Sequence, residues 1–198
     1  KSHNIQKIMK KIAVFASGSG SNTQNIIEFF QKDSNANVVL VLSNNPNALV
    51  LERAKALDVD TFIFNKTQLL EPKGVLNRLL EYKIDFIVLA GFLWKFPEHI
   101  IHKFEHKVVN IHPALLPNFG GKGMYGMHVH NAVVEAKVKE TGITIHHVNA
   151  NYDEGAIVFQ AKCTVDNDDT PEDVTKKIHQ LEMAHFPSVI KDLLTKNG

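Results

Sequence analysis

Short apolar runs alternate with amphipathic segments along the first half of the chain. Four runs are rich in β-branched, aromatic or leucine residues, namely residues 12–16, 38–42, 61–64 and 86–90. The segments between them repeat apolar residues at helical spacing, as residues 26–30 do, and they predict helices. Unbroken apolar strands suit a sheet covered on both faces, which is how parallel α/β sheets are built. The first half therefore predicts a doubly wound, parallel sheet.

The pattern changes after residue 112. Residues 119–126 are rich in glycine and predict a flexible loop, and residues 129–139 predict a helix. Strand patterns at residues 143–148 and 156–165 are separated by too few residues for a crossover helix. We therefore expect these two strands to pair antiparallel.

The last helix carries a strong start signal. A Thr170 cap, Pro171 at the first helical position and acidic residues in the first turn predict a helix from Pro171 towards Lys196. The whole pattern predicts an α/β fold of the Rossmann-like, doubly wound type. Its sheet should be mostly parallel with an antiparallel C-terminal portion, in a single domain.

Composition and charge limit the class of protein. A chain of 198 residues with 44% hydrophobic residues is long enough to bury one substantial core. Its 22 basic and 21 acidic residues leave a formal net charge of +1, so overall charge gives no reason to expect nucleic acid or a membrane surface as partner. The one cysteine, Cys163, favours a reducing compartment, and we expect a cytoplasmic protein. Residues 1–10 lack a signal-peptide pattern and are expected to be an N-terminal extension or an artificial remnant.

A loop rich in glycine and serine follows the first strand. It lacks a third dinucleotide-type glycine, because Thr23 stands there, and it lacks the ending of a P-loop. Gly20, Ser21 and Asn22 then remain as a simple phosphate cradle at a helix N-terminus. The alternative is a tight strand-to-helix turn in which Ser21 caps the helix.

A second constellation combines an amide, an imidazole and a carboxylate. Asn110 and His112 lie two residues apart on a strand and so on one face, and Asp153 follows a later strand in a polar loop. If these strand ends meet, Asp153 should stabilise the protonated imidazole and raise the pKa of His112, preparing it as a proton donor. An amide donor and a general acid/base are what acyl transfer to an amine needs. The alternative is a turn histidine and a turn-forming aspartate.

Other reactive side chains are weaker candidates. Cys163 lies in a strand pattern and is expected in the core rather than as a nucleophile. The histidine pairs at positions 128 and 130 and at positions 146 and 147 lack the spacing of a common zinc site. We therefore expect no metal.

Four segments in this order carry a resemblance to a known family: residues 17–22, residues 89–92, residues 110–117 and residues 152–155. Together they closely resemble the phosphoribosylglycinamide formyltransferase family of folate-dependent enzymes, over about residues 11–190. The resemblance implies that a formyltransferase domain spans residues 11–198. It also implies transfer of a formyl group from 10-formyltetrahydrofolate, a co-substrate, to the amine of 5'-phosphoribosylglycinamide in de novo purine (IMP) biosynthesis.

The resemblance also implies roles for single residues. Asn110 would polarise the formyl oxygen, His112 would handle protons and Asp153 would keep His112 basic. His146 matches a second histidine near the site, without an assigned role. The substrate would be held by Gly20, Ser21, Asn22 and Glu182. The folate pocket would be lined by Leu93, Trp94, Lys95, Phe96 and Asn110.

Three other functions stay open at this point. Another folate-dependent formyltransferase, acting on methionyl-tRNA or a nucleotide sugar, would usually carry a further domain, and a tRNA enzyme should show a basic patch. A formyltetrahydrofolate hydrolase shares the catalytic residues but typically has an N-terminal regulatory domain, for which we expect no room before Ile12. A non-catalytic phosphate-ligand-binding module would need the glycine loop but not Asn110 and Asp153.

The glycine-rich segment, residues 118–127, is either a lid or an ordered loop.

Overall fold

A single seven-stranded sheet organises the protein, whose computed structural model describes residues 8–151 and 153–196. The strands are β1 (Lys10–Phe15), β2 (Ala36–Ser43), β3 (Asp60–Ile63), β4 (Phe86–Leu89), β5 (Val108–His112), β6 (Glu140–His147) and β7 (Ile157–Thr164). They lie in the order β3-β2-β1-β4-β5-β6-β7. Strands β1 to β5 pair in parallel, and β6 pairs antiparallel with both β5 and β7. The predicted fold class is confirmed.

Helices cover both faces of this sheet. They are α1 (Ser21–Gln31), α2 (Leu49–Ala56), α3 (Lys66–Leu70), α4 (Asn77–Glu81), α5 (Glu98–Lys103), α6 (Met127–Glu135) and α7 (Pro171–Lys196), with a π-helical segment, Pro72–Leu76, between α3 and α4. Helices α1, α2, α6 and α7 pack on one face, and α3, α4 and α5 pack on the other. None of the helices in the described part of the chain combines the length and apolar composition needed to cross a bilayer.

Strand β1 shows why the central strands read as unbroken apolar runs. Ile12 and Val14 enter one core cluster, whereas Ala13 and Phe15 enter the cluster on the opposite face. All four side chains are fully buried. Because successive strand residues point to opposite faces, a strand covered on both sides has no position left for a polar side chain.

Two segments depart from the predicted pattern. The helix predicted over residues 129–139 is wrong at both ends, since α6 begins at Met127 and stops at Glu135, shortly before Lys137 takes a left-handed φ of 53°. The segment between β3 and β4, predicted to be helical, divides into α3, the π-helical segment and α4, and α3 starts at a capping box formed by Asn65 and Gln68. Most of the predicted N-terminal extension, residues 1–10, lies outside the described residues.

Helix α7 begins where the sequence predicts. The backbone N–H of Asp173 donates to Thr170 Oγ1 across 3.2 Å, and the backbone N–H of Thr170 donates to Asp173 Oδ2 across 3.0 Å. These reciprocal bonds satisfy N–H groups that a helix start leaves without partners. The cap therefore fixes the start of the helix that also carries Glu182.

We predict that Thr170→Ala lowers the free energy of unfolding by about 1 kcal/mol, because it removes the N-cap of α7. Urea unfolding followed by circular dichroism measures the change. Thr195→Ala is the matched control, since the Thr195 hydroxyl donates only to Lys191 and Asp192 carbonyls inside the last turn. Equal losses in the two variants would contradict a capping role for Thr170.

Candidate active site

A cavity of about 680 Å³ opens at the carboxyl ends of β1, β4 and β5. Strand order reverses between β1 and β4, which is where open α/β sheets bind ligands. The loops after these three strands, the glycine-rich segment and one side of α7 form its walls. Every site residue named from the sequence lines it, comprising Gly20, Ser21, Asn22, Leu93, Trp94, Lys95, Phe96, Asn110, His112, Asp153 and Glu182.

The loop after β1 leads directly into the first turn of α1. Gly20 stands before the helix with a left-handed φ of 77°, and a Cβ there would lie 2.5 Å from Val50 Cγ2. Ser21 is the first helical residue and makes no capping bond, so the alternative of a Ser21 cap is wrong. The first backbone N–H groups of a helix lack partners within it and favour an anion. The loop therefore has the geometry of an anion cradle, and packing against Val50 demands its glycine.

Asn22 connects this loop to the last helix. Its Nδ2 donates to Glu182 Oε2 across 3.0 Å. Burial raises the pKa of Glu182, and the bond from Asn22 opposes that effect only in part. The other amide atom, Asn22 Oδ1, is buried and has no partner among the described residues. Asn22 and Glu182 thus present a paired acceptor and carboxyl group next to the cradle.

The amide, imidazole and carboxylate all line the cavity near the end of β5. Asp153 Oδ2 lies 3.6 Å from His112 Nδ1 and accepts the backbone N–H of Gly121 across 3.0 Å. His112 Nε2 donates to the carbonyl of Phe119 across 2.7 Å. Both ring nitrogens of His112 therefore face acceptors, and Asp153 holds the glycine-rich segment against the site. Tyr152, the first residue of the predicted segment 152–155, lies outside the described residues.

Burial decides the protonation of His112. Removal of the ring from water lowers its pKa. The nearby Asp153 and the Phe119 carbonyl raise the pKa, but they do not offset this decrease. The sequence-based expectation of a raised pKa is therefore wrong in its net direction, although the effect of Asp153 has the predicted sign. Burial also raises the pKa of Asp153, but His146, His112 and the Gly121 N–H together bring it below its ordinary value. The pair thus favours a neutral imidazole beside an ionised carboxylate.

The segment after β4 forms the apolar wall. The backbone N–H of Leu93 donates to Ser17 Oγ across 3.0 Å, which ties this wall to the loop after β1. Leu93 is half exposed, whereas Phe96 is buried and packs edge-on against Phe15. The Trp94 ring carries Lys66 Nζ above it, 5.7 Å from the centroid. Lys95 is exposed at the rim of the cavity.

Sequence reasoning missed several cavity residues. Thr175 and His179 line the cavity on the same side of α7 as Glu182, and their spacing of four and three residues was the available signal. His130 also lines it, on the buried side of α6. His146 was noted without a role, and it lines the cavity with Nε2 close to both Asn110 and Asp153. Within residues 8–151 and 153–196, no group of three or more His, Cys, Asp or Glu side chains is placed to hold a metal ion.

The chain matches the formyl transferase family over residues 10–190. This match covers most of its length, and the protein belongs to that family.

Two named relatives and one solved structure are similar to the chain over most of its length. The phosphoribosylglycinamide formyltransferase of Bacillus subtilis is 35% identical over 195 residues, covering 96% of this chain and 97% of the relative. The chloroplastic phosphoribosylglycinamide formyltransferase of Arabidopsis thaliana is 39% identical over 187 residues, covering 91% of this chain but only 64% of the relative. The crystal structure of glycinamide ribonucleotide transformylase 1 from Symbiobacterium toebii matches with a TM-score of 0.88 at 30% identity, covering 99% of this chain and 92% of that one.

We predict that stability falls as the pH drops from about 7.5 to about 5.5, because the folded state resists protonation of His112, His130 and His147. Burial lowers the pKa of each of them. The unfolded chain therefore binds more protons below about pH 6.5, so acid favours unfolding. Urea unfolding at constant ionic strength measures the slope, and His130→Leu should reduce it by at most about 1.4 kcal/mol per pH unit. An unchanged slope in that variant would contradict this origin.

Proposed function

We propose that the protein transfers the formyl group of 10-formyltetrahydrofolate to the amine of 5'-phosphoribosylglycinamide, a step of de novo purine biosynthesis. The observation that carries this proposal is the convergence of Asn110, His112 and Asp153 in a cavity that also contains an uncapped helix N-terminus. The names of the bacterial and plant relatives support phosphoribosylglycinamide as the acceptor of the formyl group. The domain responsible is residues 11–198.

The two ends of the cavity suit the two substrates. The phosphate of the ribonucleotide would bind the N–H groups at the start of α1, near Gly20, Ser21 and Asn22. Glu182, which also lines the cavity, would face the glycinamide end, as the family resemblance implies. The folate would lie along the wall formed by residues 93–96. A volume of about 680 Å³ is within the usual range for ligand pockets.

The reaction then needs no protein nucleophile. The substrate amine bonds to the formyl carbon, and the formyl oxygen becomes an oxyanion that Asn110 stabilises with an amide N–H. The amine gives up a proton to His112, which returns it to nitrogen 10 of the folate as the bond from that nitrogen to the formyl carbon breaks. One carbon–nitrogen bond forms, one breaks, and one proton moves between the two nitrogens.

The electrostatics of the site suit this order of events. A lowered pKa leaves His112 neutral near pH 7, so it is ready to accept a proton. Its Nδ1 accepts no hydrogen bond from the described residues and faces Asp153 across 3.6 Å. Asp153, held ionised, would stabilise the imidazolium once it forms. The pair therefore works as a base first and an acid second.

The remaining features agree with an enzyme acting on small molecules. Cys163 lies in β7, where burial raises the pKa of its thiol and makes it a poor nucleophile. A free cysteine suits a reducing compartment, and we place the protein in the cytoplasm. The near-neutral charge of the chain favours neither nucleic acid nor a membrane as partner.

We predict formyl transfer that depends on both substrates, and a loss of about 10² to 10⁴ in kcat for Asp153→Asn, because His112 loses the carboxylate that stabilises its charged form. Absorbance of the folate product follows the rate. Asp192→Asn, an isosteric change at an exposed position of α7, is the matched control. Folate cleavage without the amine would instead indicate a hydrolase, and no reaction at all would indicate a phosphate-binding module.

We predict that Asn110→Ala lowers kcat by about 10² to 10³ with little change in KM, because its amide binds the oxyanion of the transition state more strongly than the substrate. Steady-state kinetics with both substrates measure the two constants. Asn131→Ala, at an exposed position of α6, serves as the control. A rise in KM at constant kcat would mean that Asn110 only binds the folate.

A further inference from the structure

His146 lies directly opposite Asn110 across the antiparallel pair of β5 and β6. Opposed residues of such a pair project from the same face of the sheet, so the two side chains meet beside the cavity. His146 is almost completely buried, with 2% of its surface exposed. Its neighbour His147 points away and does not line the cavity. The register of two strands therefore brings an otherwise unused imidazole against the proposed oxyanion donor.

Two contacts fix the protonation of the His146 ring. Its Nδ1 lies 2.9 Å from the carbonyl of His147, which only accepts hydrogen bonds, so Nδ1 carries the proton. Its Nε2 lies 3.1 Å from Asn110 Nδ2, which only donates, so Nε2 offers its lone pair. Both contacts are satisfied by a single form, the neutral imidazole protonated on Nδ1.

This form of His146 determines how the Asn110 amide is oriented. One N–H of Asn110 is taken up by Nε2, which leaves the second N–H as a donor on the side of the cavity. Without that acceptor, the amide is no longer held in this orientation. It can then rotate so that Oδ1 and Nδ2 exchange places. An oxygen in the donor position would repel the formyl oxyanion instead of stabilising it.

We propose that His146 is a positioning residue that acts through Asn110, an inference that rests on the proposed function. In its neutral form protonated on Nδ1, it holds the Asn110 amide in the one orientation that presents an N–H to the formyl oxygen. His146 itself does not touch the reacting atoms. Its contribution is to select between two orientations of a group that does.

The surroundings of Nε2 explain why His146 can orient the Asn110 amide only when Nε2 carries no proton. Asp153 Oδ1 lies 3.6 Å from the same nitrogen, and the charged or titratable neighbours are Asp153, His112 and His147. A proton on Nε2 would turn it into a donor towards Asp153 and leave Asn110 without an acceptor. Asn110 and Asp153 are therefore competing partners of one atom.

A double-mutant cycle tests the proposal. We expect His146→Leu, which removes the acceptor, to lower kcat by roughly 10- to 100-fold with KM nearly unchanged, as expected for a misplaced catalytic group. His146→Gln, whose side-chain oxygen can accept from Asn110, should recover most of the rate. In an Asn110→Ala background, His146→Leu should have no further effect, because the residue through which it acts is gone. His147→Leu, the adjacent histidine outside the cavity, is the matched control and should keep its kcat.

Two outcomes of the cycle would overturn the proposal. One is an undiminished effect of His146→Leu in the Asn110→Ala background. The other is an effect that vanishes only in an Asp153→Asn background, which would mean that His146 acts through Asp153. Failure of His146→Gln to recover any rate would also contradict the role of an acceptor.

Nitrogen-15 NMR of the wild-type protein tests the contact without any turnover. We expect His146 to be protonated on Nδ1 at neutral pH, and the Asn110 side-chain amide signals to shift in His146→Leu but not in His147→Leu. Protonation on Nε2 would overturn the proposal whatever the activity. The expected NMR result in a protein without formyl transfer would support the contact and reject the proposed function alone. This measurement also stands if His146→Leu fails to fold.

Discussion

The buried carboxylate of Asp153 is the group on which the rest of the site depends. A negative charge removed from water needs compensation, and here the backbone N–H of Gly121 donates a hydrogen bond to it across 3.0 Å. The same carboxylate lies 3.6 Å from both His112 Nδ1 and His146 Nε2, and it holds the glycine-rich segment beside the cavity. Asp153 itself takes a left-handed φ of 54°, an uncommon backbone conformation for a residue with a side chain. Backbone strain and buried charge coincide at the proposed catalytic centre, as they often do.

The sheet makes this arrangement possible because β6 runs antiparallel to both of its neighbours. Parallel strands β1, β4 and β5 deliver the anion cradle, the apolar wall and the pair Asn110 and His112 to one edge. The antiparallel return through β6 then places His146 opposite Asn110. The loop after β6 brings Asp153 against the ring of His112. In a wholly parallel sheet no strand would run antiparallel to β5. The contact between His146 and Asn110 therefore depends on the mixed topology.

The prediction of the fold succeeded where the signal was local. Apolar runs covered on both faces predicted the central strands, and the Thr170 cap predicted the start of α7. Prediction failed where long-range packing decided. The end of α6 was misjudged, because Lys137 takes a left-handed conformation that no hydrophobic pattern reports. The direction of the His112 pKa shift was misjudged for the same reason, since burial is a property of the whole core.

The sequence by itself determined the strand and helix order, the fold class and the chemical types of the residues that line the cavity. Those features follow from local periodicity and from residue chemistry, which are present in the chain before it folds. Only the tertiary structure decided which atoms face each other. It placed Asn110 and Asp153 beside the same atom, His146 Nε2, and through burial it lowered the pKa of His112. Distances between strand ends and the loss of water around a side chain arise only when distant segments pack together, and no local pattern encodes either of them.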